Sequence, residues 1–114
     1  MSLKEKLLNP EPVLIAVTLL GQPCEIRRLK YVELTEINDA QQAAIQENDP
    51  EKINETIATL ILKSIIDDGE PMINSISPSD LVAIYPQYDM KSAADTIMAI
   101  NYGQTDGIDK AKKS

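Results

Sequence analysis

The chain has no His, Trp or Phe, and Cys24 is its single cysteine. These absences exclude the usual zinc sites, imidazole-based acid–base catalysis and an internal disulfide. An ordinary hydrolase active site therefore has little to be built from. The four glycines, Gly21, Gly69, Gly103 and Gly107, are isolated and none precedes Lys-Ser or Lys-Thr, so no phosphate-cradling loop can form. No apolar run reaches the length of a membrane span, and Val13 to Leu20 is too short for a helical anchor. The opening Met1-Ser2-Leu3-Lys4-Glu5-Lys6 leads into no signal-peptide core, and a lone thiol suits a reducing compartment. The expected location is the cytoplasm.

What is present points to one folded domain. A chain of 114 residues with 43% apolar content buries roughly two thirds of its unfolded surface, enough for a core without disulfides or metal. The net charge of −7 is unevenly spread: residues 1–30 carry Lys4, Lys6, Arg27, Arg28 and Lys30 against three acids, net +2, leaving −9 for the remainder. So acidic a body repels phosphate backbones, which argues against nucleic acid and for a protein partner with basic patches.

Ser2 to Leu8 is compatible with a short helix, closed by Asn9-Pro10-Glu11-Pro12. Val13 to Leu20 reads as a strand, with Val13, Ile15, Val17 and Leu19 on one face and Leu14, Ala16, Thr18 and Leu20 on the other. Gly21-Gln22-Pro23 predicts a turn, and Cys24 to Leu29 should return antiparallel, its Cys24 and Ile26 inward and its Glu25 and Arg27 toward water. A first strand apolar on both faces needs helices on one side and leaves the other for a partner.

The period then becomes helical. Leu34, Ile37, Gln41, Ala44 and Ile45 form a stripe that Asn48-Asp49-Pro50 ends. Asp49 as cap and Pro50 as first helical residue predict a second helix to about Ile66. It carries Ile53, Ile57, Leu60, Ile61 and Ile65 on one face, with Ala58, Leu62 and Ile66 on another. A helix apolar nearly all round is expected to be central. Asp67-Asp68-Gly69-Glu70 is read as its left-handed end, followed by an extended Pro71-Met72-Ile73. Ser77-Pro78-Ser79-Asp80 starts a short helix to about Tyr85, stopped by Pro86; a last helix over Tyr88 to Tyr102 should bury Ala93, Ala94, Ile97 and Ile100. The fold expected is α+β, an N-terminal antiparallel β-hairpin packed on a mostly α-helical remainder, as one domain over residues 1–103 with a flexible tail over 104–114.

The chemical motifs fail one by one. A calcium loop with Gly69 at its sixth position would put Ser64, Ile66 and Ser75 where oxygen ligands are needed at positions 1, 3 and 12. Ser79-Asp80-Leu81 reverses the Asp-Ser order of a carrier-protein attachment site, and Asn54-Glu55-Thr56, a formal glycosylation triplet, falls mid-helix. The acids show no spacing that sets a general acid apart from a base. No catalytic, cofactor-binding or metal-binding residue is expected, and the function by elimination is binding.

In the order and spacing of its elements the chain resembles the tail assembly chaperones of long-tailed bacteriophages and their prophages. The resemblance runs from Met1-Ser2-Leu3-Lys4-Glu5-Lys6-Leu7-Leu8 through the Val13–Leu29 hairpin with its Ile26-Arg27-Arg28-Leu29 exit. It resumes over Leu60 to Gly103, where Ile65-Ile66-Asp67-Asp68-Gly69-Glu70-Pro71-Met72-Ile73, Asp80-Leu81, Pro86, Ile97 and Asn101-Tyr102-Gly103 fall as in the family. Lys30 departs from a frequent capping Thr or Ser, and Ile73 from a frequent aromatic.

The resemblance implies a non-catalytic protein that binds the tape measure protein, helps bring tail tube subunits to it and is absent from the mature particle. The family is often made in two lengths by frameshifting near the end of the short frame, and Lys112-Lys113 fits either the codons of a slippery adenine run or a lysine-rich solubilising end. Apolar patches on an acidic domain suit a long helical client, and the candidate contact residues are Leu14, Ala16, Leu20, Leu62 and Ile66. The two-faced strand and helix also predict self-association. The competing reading is a small acidic regulatory or adaptor protein of the anti-repressor type, occupying a basic protein surface.

Overall fold

The computed structural model describes residues 2–11 and 13–103. The expected tail over 104–114, with Lys112-Lys113, lies outside the described residues. Helix α1 (Leu3–Leu8) is closed at its start by the Ser2 hydroxyl, which accepts the Glu5 N–H, and contributes no buried residue. Strands β1 (Ile15–Leu19) and β2 (Gln22–Ile26) pair antiparallel, Ile15 opposite Ile26 and Leu19 opposite Gln22. Their turn is centred earlier than predicted: Leu20 (φ 52) and Gly21 (φ 77) are both left-handed, which matches the right-handed strand twist of a two-residue hairpin loop and leaves Gln22 and Pro23 to β2.

Helices α2 (Tyr31–Gln46) and α3 (Pro50–Ser64) follow as an antiparallel pair, with Asp49 accepting the Lys52 N–H at the start of α3. Ile37 and Ala44 of the α2 stripe are buried, but Ile45 is 50% exposed, one step past the contact face. Helix α3 is the central element: Ala58, Ile61 and Leu62 are sealed, and it packs against α2 and the helices that follow.

The predicted helix to Ile66 stops at Ser64. Ile65–Asp67 is strand β3, with Ile65 opposite Ile26 and Ile66 opposite Glu25, and Glu70–Pro71 is a short β4 that pairs back on it. Asp68 (φ 54) and Gly69 (φ 79) form a left-handed turn like that of the first hairpin. Asp-Gly is thus a hairpin turn and not a helix end, because β-branched Ile65 and Ile66 fit the free edge of β2. The result is a four-stranded antiparallel sheet, order β1-β2-β3-β4, with α2 and α3 inserted between β2 and β3.

A single 3₁₀ turn (Met72–Asn74) leads to α4 (Pro78–Ile84), which starts where predicted and where Ser77 and Asp80 cap each other's backbone, and to α5 (Gln87–Asn101). Ala93, Ala94, Ile97 and Ile100 of α5 are buried with Met90. Leu19 and Ile26 bring the inner sheet face into that same core. The architecture is α+β, an N-terminal antiparallel hairpin on a mostly helical remainder.

Candidate partner-binding groove

Where the chain leaves β2, three residues fix the angle of the hairpin. The Arg27 N–H donates to the Ser64 carbonyl at 3.0 Å and its Nε to the Lys63 carbonyl at 3.2 Å, satisfying acceptors that the end of α3 leaves free. Its Nη1 and Nη2 form a bidentate pair with Glu33 of α2 at 2.9 and 2.8 Å. Arg28 Nε donates to the Ile100 carbonyl at 2.8 Å, and the Leu29 N–H to Asn101 Oδ1 at 2.6 Å. The chain from Arg27 to Leu29 is thereby tied to the start of α2 and the ends of α3 and α5. Arg27, expected to face water, is only 19% exposed in its side chain.

These ties hold Glu33 in a cationic setting. The Arg27 hydrogen bonds, reinforced by the Lys30 N–H and the nearby charges of Arg27 and Lys63, outweigh partial burial and lower its carboxyl from 4.5 to about 2. Glu33 Oε1 also accepts the Lys30 N–H at 3.0 Å. That contact satisfies a backbone N–H at the start of α2.

With the hairpin held at this angle, its tip and the segment after β4 form the walls of an open groove of about 660 Å³. Ala16, Leu20 and Cys24 come from the hairpin, Leu62 and Ile66 from the α3–β3 junction, and Met72, Ile76, Leu81 and Tyr85 from the 3₁₀ turn and α4. The lining is mostly apolar, and Glu25 and Asp67 add acid to it. This composition and size suit an amphipathic segment or a small apolar ligand.

Four of the five candidate contact residues meet here: Ala16, Leu20, Leu62 and Ile66. Ala16 is exposed, and Leu20 and Ile66 are half-buried. Leu62 is 1% exposed, so it supports the wall as a core residue and offers almost no surface to a partner. Leu14 precedes β1, is 38% exposed and lies outside the lining. The wall from Met72 to Tyr85 was missed by sequence reasoning, because each of its apolar residues sits in a piece too short to show a period.

Leu20 is unusual within this set. A left-handed leucine costs about 1–2 kcal/mol relative to an ordinary turn residue, yet it is what places an isobutyl group at the groove. Cys24 is half-buried there, and burial pushes its thiol above the ordinary value against a smaller opposite effect from the Leu19 backbone. Among the described residues no three carboxylates or thiols converge to hold a metal ion, and no helix is long and apolar enough to cross a membrane. Compared with known protein families, with curated proteins and with solved structures, the chain shows no match to any of them.

Proposed function

We propose that this chain is a non-catalytic tail assembly chaperone of the long-tailed phage type, which seats an apolar helical face of the tape measure protein in the groove. The observation that carries the reading is the gathering of Ala16, Leu20 and Ile66 into one open apolar groove on an acidic domain. A long helical client needs its apolar stripe covered during assembly, and an acidic exterior keeps the covered client soluble. In this role the protein works in the bacterial cytoplasm, helps tail tube subunits reach the client and leaves before the particle is complete.

The test is co-expression with a candidate tape measure protein. A soluble complex, with Cys24 slow to react with a maleimide, supports the proposal. An insoluble client and unchanged Cys24 reactivity refute it. Capture of a basic regulatory protein in place of the client selects the adaptor reading.

A further inference from the structure

Helix α1 has only six residues, none of them buried, and Leu3, Leu7 and Leu8 are 71%, 69% and 70% exposed. A helix this short is far below the length of roughly 12–15 residues at which isolated helices become even marginally stable in water. Both ends are closed locally: Ser2 accepts the Glu5 N–H, and Asn9 Nδ2 donates to the Glu5 carbonyl at 3.1 Å. Leu3 and Leu7, one turn apart, share a face, with Lys4 and Lys6 on its two flanks and Glu5 behind. Such a helix is built to be seated in something, and an apolar strip between two cations calls for an apolar groove with acid at its edge.

The groove between the hairpin tip and α4 has that character, with Leu20, Ile66 and Tyr85 in its lining and Glu25 and Asp67 as its acids. The arm does not occupy the groove of its own chain, since its leucines remain exposed. Pro10 cannot continue α1 and biases Asn9 toward extended geometry, so the helix ends before the body begins. We infer that α1 of one copy docks in the groove of a second copy, Leu3 and Leu7 inward and Lys4 and Lys6 toward Glu25 and Asp67. Each copy has one arm and one groove, so copies can trade arms and fill every seat. Six residues bury far less than the ~800 Å² per partner of a standard interface, so the association is weak and reversible. The client then competes with the arm for the same groove. This inference rests on the groove as a helix-docking surface and not on who the client is.

Sedimentation of the full chain without any client tests it. At high micromolar concentration the wild type should run as a dimer or larger, and Cys24 should react more slowly with maleimide as concentration rises. Leu3→Asp/Leu7→Asp, which alters only exposed positions, should keep the wild-type circular dichroism and urea midpoint, weaken association by roughly tenfold or more and abolish the concentration dependence at Cys24. Leu20→Asp, at a φ that Asp tolerates, should also weaken self-association, and mixing the two variants should restore a complex through the one intact arm and groove. A monomeric wild type, or assembly that survives the arm substitutions, would overturn the inference. Because no client is present, either result leaves the tape measure experiment to be decided on its own.

Discussion

Glu33→Gln tests whether the tie at the base of the hairpin stabilises the fold as its geometry implies. The drop from 4.5 to about 2 corresponds to ~3.4 kcal/mol between the two protonation states. Arg27 and Glu33 keep 19% and 22% of their side-chain surface in contact with water, so solvent screening reduces the realised figure to ~2 kcal/mol. Because folding depresses this carboxyl, its contribution is complete above pH 4.5 and is lost as pH falls from there toward about 2. Urea unfolding followed by circular dichroism, wild type against Glu33→Gln, should therefore show a deficit of ~2 kcal/mol near neutral pH, with less than half remaining at about pH 3. In a thermal scan the neutral-pH difference is about 8 °C. A deficit below about 0.5 kcal/mol at neutral pH, or one that stays constant down to about pH 3, would refute the argument and reduce the pair to an ordinary surface contact.

Asn101→Ala removes the acceptor of the Leu29 N–H and leaves that nearly buried donor without its partner, so urea unfolding should show a loss of about 1–3 kcal/mol. Gly69→Ala meets open space around its new methyl group but keeps a φ of +79, and a loss of about 1–2 kcal/mol with no change of fold should appear by the same measurement. Ile61→Ala, at 0% exposure in the last turn of α3, should cost about 2–5 kcal/mol, while Ile84→Ala on the open side of α4 should stay within about 0.5 kcal/mol. Leu20→Asn relieves a left-handed leucine but gives up a half-buried side chain, effects of about 1 kcal/mol each and opposite in sign, so stability should hold while client capture falls.

Helix boundaries were legible wherever a local cap wrote them. Asp49-Pro50 and Ser77 with Asp80 close their helices through contacts three residues long, which need nothing from the rest of the chain. The failure at Ile65-Ile66 has the opposite origin. The apolar pattern of α3 runs through both isoleucines without a break, and only the unpaired edge of β2, far back in sequence, turns them into a strand. Asp68-Gly69 fits both outcomes locally, so the tertiary edge decides which turn it makes. The groove behaves in the same way. An excess of apolar surface on the first strand and α3 was visible in the composition of those segments, and it led to four residues that do meet. Where they meet depends on the angle of the hairpin, which Arg27 and Arg28 set through carbonyls 36 and 72 positions away. In sequence those two arginines are simply the cationic end of an alternating strand. In the fold, Arg27 takes up free acceptors at the end of α3 and the carboxylate that opens α2, and Arg28 takes up the Ile100 carbonyl. The uneven charge first seen along the chain is thus partly a structural device. The arginines of its basic segment lock the hairpin, and its N-terminal lysines are left on an arm that the body does not bury.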